Sequence, residues 1–411
     1  MRHIKLGDLA NFNMGQSPLS SSVSDVEEGL PFLQGNAEFG SITPNHHLYC
    51  TRPIKLCKSG DILISVRAPV GALNKADQIY CIGRGLAAIS FVEALPNFGW
   101  HLLNYWVKDL HIVAQGSTFE AISKSDLENL WVMCPSDQEQ YLIAQILDTL
   151  DNQVRETERL IAKLKEVRVG LLHDLFTKGI DEHGEVRDPV AHTEQFNKTA
   201  LGLLPKEWNI EKFEELADVI DPQPDHRAPP EISGGEPYIG VGDFQEDGSI
   251  DFKACRKVSP RVFMRQQERF HIVEGDILFG KIGTIGLPQA LPQSFGYALS
   301  ANTVLIKPRN QLSYVLWLLH SSFVERHIQI QIHSTSQSAF GIQRIRAMPV
   351  PQPSKDEQRR IATILDYHQT RISSEEAHLR KLQQMKKGLI HDLLTGVMHV
   401  SSLLALSEQK E

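Results

Sequence analysis

One stretch of this chain is written twice. Residues 135–178 and 353–396 run in parallel for 44 positions at a constant offset of 218, with 18 identities and no gap. Matched pairs include Glu139-Gln140 with Glu357-Gln358, Ile146-Leu147-Asp148 with Ile364-Leu365-Asp366, and His173-Asp174-Leu175 with His391-Asp392-Leu393. A weaker echo lies upstream, where Gly60-Asp61-Ile62-Leu63 recurs as Gly275-Asp276-Ile277-Leu278 and Gly71 aligns with Gly286. The order is therefore variable block, repeated segment, variable block, repeated segment, and such self-similarity dictates an architecture assembled from two halves. The segments that repeat well serve one job twice; the blocks that repeat poorly serve two different jobs.

The repeated segments read as long helices. In the first, Ile143, Leu147, Leu150, Val154, Ile161, Leu164, Leu171 and Leu175 fall in steps of three, four and seven, a single helical stripe. The second copy gives Ile361, Leu365, Ile372, Leu379, Leu382, Leu389 and Leu393. Polar residues interrupt both heptad series at the same two places, Thr157 with Glu375 and Arg168 with Lys386. Two seams interrupted alike face each other or face equivalent partners. Ser136 and Ser354 each precede a glutamate by three residues, the capping-box spacing. About 39 residues at 1.5 Å per residue give helices of roughly 58 Å. A stripe of that length needs a partner, and its own copy fits best, although each helix packing on its own block is the simpler alternative.

The blocks read as mixed α/β. Ile62–Val66 and Ile277–Phe279 look like strands entered through Gly-Asp turns, and Trp100–Trp106 and Tyr314–Leu319 like amphipathic helices. Each block then carries a polar loop, with Gln115, Ser117 and Thr118 in the first, and Gln331, His333, Ser334, Ser336 and Gln337 in the second. Such side chains donate and accept at base edges; they are equally ordinary surface residues. Arg67 and Lys281 follow the two strands at positions shifted by one.

The formal net charge of −8 opposes a simple nucleic-acid reading, because phosphate contact favours a basic footprint. One region stands apart: Lys253, Arg256, Lys257, Arg261, Arg265 and Arg269 against Glu268 leave a local charge of +5 in 17 residues. It is either a DNA-facing patch or a solvated face. Residues 181–205 read as an acidic connector with Gly184, Pro189 and Pro205. Five cysteines without a C-x-x-C argue against a disulfide framework or zinc ribbon. With no apolar run near membrane-spanning length and no signal-peptide pattern at the start, the expectation is a cytoplasmic protein. No P-loop, methyltransferase loop, nuclease cluster or metal-ligand spacing is present, so the chain reads as a binder without catalytic residues, metal or cofactor of its own.

The segment Thr199-Ala200-Leu201-Gly202-Leu203-Leu204-Pro205-Lys206-Glu207-Trp208, the twice-used endings Leu171–Thr177 and Leu389–Gly396, and the twice-used Pro-x-x-x-Glu-Gln helix start resemble the specificity subunits of type I restriction–modification systems. The likeness covers nearly the whole chain; one departure is that the first block opens at Ile4-Lys5-Leu6 without the Gly-x-x-Pro-x-x-Trp lead-in. The resemblance implies an α+β fold of two target recognition domains (1–135 and 206–353), each followed by a conserved helix (136–180 and 354–398). Between them lies the connector, and a tail covers 399–411. The helices would pair as an antiparallel coiled coil with pseudo-twofold internal symmetry and set the spacing between two half-sites. Implied partners are double-stranded DNA, two modification subunits carrying S-adenosylmethionine, and restriction subunits using ATP and Mg. The rival readings are a coiled-coil scaffold for other proteins, an orphan DNA-binding protein without a restriction partner, and a DNA-modifying enzyme with an unrecognised site.

Overall fold

The computed structural model describes residues 1–114, 121–225, 227–245, 247–293, 296–333 and 340–400, with only the backbone described at 108–114 and 333. The α-helices in chain order are α1 (Pro96–Ala114), α2 (Lys124–Glu128), α3 (Asp137–Thr177), α4 (Pro260–Gln267), α5 (Leu312–Leu319), α6 (Ser322–His333), α7 (Ile342–Arg346) and α8 (Lys355–Thr395). Contacts divide the chain into two units, Met1–Glu158 with His378–Glu411, and Arg159–Ala377. Each unit thus owns one variable block and part of each long helix.

In the first unit, four antiparallel strands lie in the order Ala10–Met14, Leu86–Phe91, Ile62–Ser65, Leu73–Lys75. Every residue of Ile62–Ser65 is buried, as expected for a strand covered on both faces. A second, five-stranded sheet contains one parallel pairing, Leu30–Leu33 beside Tyr80–Ile82. The second unit repeats the four-stranded order with Ala217–Ile220, Thr303–Pro308, Ile277–Gly280 and Gly286–Ala290. It also repeats a parallel pairing, Glu231–Ile239 beside Ala298–Leu299. The recurring Gly-Asp is the entrance to the buried strand in both. Gly60 and Gly275 sit at φ +90 and +85, where a Cβ is strained, and the next residue accepts a backbone N–H from three residues back. Those bonds are Lys58 N to Asp61 at 2.7 Å and Val273 N to Asp276 at 2.9 Å.

A two-stranded ribbon ties each block to its helix: Arg2–Lys5 pairs with Trp131–Cys134 just before α3, and Asn209–Lys212 with Pro349–Gln352 just before α8. The long helices span 41 residues each, about 61 Å. Within the first unit, Ile143 and Leu147 of α3 share a core with Leu389 and Leu393 of α8, and Asp151 meets Lys386 at 2.5 Å. Within the second, Leu171 and Leu175 share a core with Ile361 and Leu365, and Lys165 meets Glu376 at 2.7 Å. Rising numbers on one helix meet falling numbers on the other, so the pairing is antiparallel in both units. Leu150, Ile161, Leu164, Ile372 and Leu382 are also buried; Val154, Leu379 and Leu389 are half-buried.

Of the two shared interruptions of the stripe, Thr157 turns its hydroxyl back to Gln153 O of its own helix at 2.8 Å, whereas Arg168 and Lys386 make cross-helix pairs. Lys386 reaches Asp151, and its repeat mate Arg168 donates to Gln369, the repeat mate of Asp151. One contact is therefore made twice, once in each unit. The expected capping boxes are split between the copies. Ser354 Oγ accepts from Glu357 N at 3.2 Å, a true N-cap, whereas Ser136 donates both N–H and O–H to the Glu139 carboxylate at 3.1 and 2.9 Å. Those donated bonds hold the Glu139 carboxyl below its ordinary pKa range.

The reason for the split is Glu357. It is 3% exposed and accepts from Ile180 N at 2.9 Å, Trp208 Nε1 at 3.0 Å and the Arg187 guanidinium at 2.5 Å. This one carboxylate anchors the start and end of the connector on the first turn of α8. Gly179, at φ +67, lies so close that a Cβ would come within 2.3 Å of Glu357 Oε1.

Candidate nucleic-acid interface

Arg67 and Lys281, two of the basic residues singled out in the sequence, lie at corresponding strand ends of the two blocks. In the first unit the buried strand ends at Val66-Arg67, and Val66 O accepts from Ile122 N at 2.9 Å while Arg67 bridges to Ala121. In the second, Lys281 O accepts from Phe340 N at 2.8 Å. Ala121 and Phe340 follow directly on residues 115–120 and 334–339. Gln115, Ser117, Thr118, Ser334, Ser336 and Gln337 lie outside the described residues, as does the side chain of His333; Gln331 is half-buried on α6.

The same bond identifies Lys281 as the counterpart of Val66, not of Arg67. Arg67 is exposed. Lys281 is buried, with a side chain 5% exposed, and pairs at 3.0 Å with Asp221, itself 13% exposed. The basic run 253–269 also separates. Lys253, Arg261, Arg265 and Arg269 are exposed, whereas Arg256 and Lys257 are half-buried. Arg256 donates to Pro229 O and lies over the Tyr238 ring at 5.7 Å, Arg265 pairs with Asp225 at 3.2 Å, and Arg269 donates to Asp221 O at 2.9 Å. Several of these cations are thus committed to the fold.

Each block is also pinned to its long helix through the repeated aspartate. Asp148 faces His101 Nε2 of α1 at 2.9 Å. Its mate Asp366 accepts from Trp317 Nε1 at 2.8 Å and from Ser313 Oγ at 2.5 and 2.6 Å on α5. Burial lowers the His101 pKa, although Asp148 and Asp151 pull it up. Sequence reading missed these aspartate contacts and the Glu357 cluster, because identity across a repeat marks a shared position without revealing its partner.

Among the described residues, no group of three His, Cys, Asp or Glu side chains is placed to hold a metal ion, and no helix is long and apolar enough to cross a membrane. The two blocks share one four-stranded sheet order, and each is joined through a two-stranded ribbon to a duplicated helix. The family model of the type I restriction modification DNA specificity domain matches residues 1–166 and again 205–384. The chain belongs to that family. This specificity subunit is 23% identical over 431 residues to the type I restriction enzyme MjaVIII specificity subunit of Methanocaldococcus jannaschii, covering 97% of this chain and 93% of that one. A stretch of 176 residues is 44% identical to the provisionally named MjaX specificity subunit of the same organism, spanning 41% of either chain. Its fold resembles the crystal structure of the type I restriction–modification system S subunit from M. genitalium, with a TM-score of 0.59, 16% identity and 96% of both chains covered. That family places the specificity subunit in a multi-subunit restriction–modification system.

Proposed function

We propose that this specificity subunit reads a bipartite DNA site, one half with the block at 1–135 and the other with the block at 206–353. In this reading the helices at 136–180 and 354–398 fix the spacing between half-sites and carry two modification subunits, with restriction subunits joining the assembly in the cytoplasm. The connector at 181–205 links the halves, and 399–411 is a tail. The chain contributes recognition, while S-adenosylmethionine, ATP and Mg belong to its partners. The observation that carries the reading is one sheet order repeated beside a duplicated helix, with charge and loop chemistry differing between the copies. Conserved helices suit identical partners, and divergent blocks suit two unlike half-sites.

Co-expression with the modification partner and sequencing of modified bases tests this. The expected result is methylation at one split motif, of which only one half changes when residues 206–352 are exchanged for another such block. Unchanged methylation after the exchange overturns the reading.

A further inference from the structure

The corresponding edges of the two blocks are built alike yet differ in charge. In the second unit the ends of Ala217–Ile220 and Ile277–Gly280, together with α7, wall a cleft of about 710 Å³ lined by Asp221, Arg269, Lys281, Ile342, Arg344 and Arg346 among others. Four cations face one carboxylate there. Lys281 and Asp221 form the buried pair described above, and Arg346 donates to Val219 O at 2.6 Å. Among the described residues, the Arg344 side chain has no hydrogen bond or ion pair, and the residue is half-buried on the cleft wall.

The first unit offers a built-in comparison. The counterpart of Lys281 is Val66, which is 4% exposed and belongs to the apolar core. Asp221 lies four residues beyond Ala217, and the residue four beyond the matching Ala10 is Met14, which packs on that same core. The counterpart of α7 is α2, which begins two residues after the anchored Ile122 as α7 does after Phe340. Where α7 carries Arg344 and Arg346, α2 carries Asp126 and Glu128. Asp126 caps its own helix through Ser123, and Glu128 pairs with Lys124 at 3.3 Å.

A buried ion pair rarely stabilises a fold better than an apolar pair of similar size, and the first unit forms the same edge with Val66 and Met14. Folding therefore does not require Lys281 and Asp221 at this edge. We propose that the cleft of the second recognition domain is a DNA-phosphate seat. Arg344 contacts the backbone, Arg269, Lys281 and Asp221 shape the walls and floor, and the first domain has no equivalent. The two half-sites then differ in kind: the one read by the second domain draws more of its binding from phosphate charge. This rests on the DNA-reading role proposed above.

The test uses the complete complex with the modification subunits and a duplex carrying the bipartite site, with affinity measured across salt concentrations. Arg344→Gln is expected to weaken binding severalfold at physiological salt and to reduce the slope of log K against log [salt] by about 0.9, the loss of one phosphate contact. Arg344→Lys is expected to restore the slope. Ethylation interference is expected to lose its signal at a phosphate of one half-site only in Arg344→Gln. An unchanged slope in Arg344→Gln overturns the phosphate seat while leaving the DNA-reading role intact. Equal weakening by Gln and Lys with an unchanged slope assigns Arg344 to the fold and also overturns it. Failure of the wild-type complex to retain the duplex removes the DNA-reading role itself, and the seat with it.

Discussion

Glu357→Ala and Glu139→Ala change the same residue at the same position of the repeat, and the structure assigns them very different costs. Glu357 is buried and serves Arg187, Trp208 and Ile180. Its removal leaves the Arg187 guanidinium, 11% exposed, with only the exposed Glu207 at 3.6 Å as counter-charge, and breaking a buried ion pair costs about 3–5 kcal/mol. The orphaned Trp208 Nε1–H adds on the order of 1 kcal/mol or more. Glu139 instead receives two bonds from Ser136 and a contact from His399 at 3.5 Å, with a side chain 26% exposed. Loss of a cap of this kind costs about 1 kcal/mol. For units of this size, 1 kcal/mol moves a melting temperature by about 2–4 °C. Calorimetry of the full-length protein should therefore show Glu357→Ala lowering the transition of its unit by about 10 °C or more, and Glu139→Ala by only a few degrees. Adding Arg187→Met to Glu357→Ala should recover part of the loss, because both buried charges are then gone. Equal shifts for the two single variants, or no recovery in the double variant, would refute the assignment of Glu357 as the connector's anchor.

Other outcomes follow from the same geometry. Asp366→Ala should cost about 2–3 kcal/mol, more than Asp148→Ala, because it strips Trp317 and Ser313 of one shared acceptor; urea titrations followed by tryptophan fluorescence compare them. His101 has a pKa held below 6.5 by burial, so the unfolded state binds its proton first. Stability of that unit should be level above about pH 6.5 and fall as pH drops below it, and His101→Asn should flatten this acid limb in urea midpoints taken from pH 7.5 to 5.5. Lys253 is exposed, whereas Arg256 braces Pro229 and Tyr238. Lys253→Ala should leave the melting temperature unchanged and reduce the salt slope of DNA binding by about 0.9 if it meets a phosphate, while Arg256→Ala should lower the melting temperature.

The helices were legible because their information is local and periodic. The stripe through Leu147, Leu164, Leu365 and Leu382, and its polar breaks at Arg168 and Lys386, specify a seam and its partner without reference to anything outside the repeat. The Gly-Asp turns were legible for the same reason: Gly60 and Gly275 meet a backbone demand that few residues satisfy. What escaped depends on partners far apart in sequence. Glu357 is 177 residues from Ile180 and 149 from Trp208, so its burial leaves no trace in spacing, and the capping box suggested a role that only Glu139 and Ser354 partly fill. Lys281 aligned near Arg67 by chemistry, but the ladder matches it with Val66. The charge reversal between α2 and α7 was visible in the letters, yet nothing linked those short helices to the strand ends until the bonds of Ile122 to Val66 and Phe340 to Lys281 did so.

The first unit draws its core from segments on either side of the second. Leu6, Phe98 and Leu147 close on Leu393, Leu394 and Val400, with the 219 residues of Arg159–Ala377 forming the other unit. At roughly 5–20 residues per second, a ribosome needs about 10–40 s to cross that gap. Throughout that interval the stripe of Ile143 and Leu147 has been made and its cover has not. The second unit, uninterrupted in sequence, completes itself as it emerges. Biosynthesis thus imposes an order on two halves that the repeat makes look interchangeable: the domain that is started first is finished last.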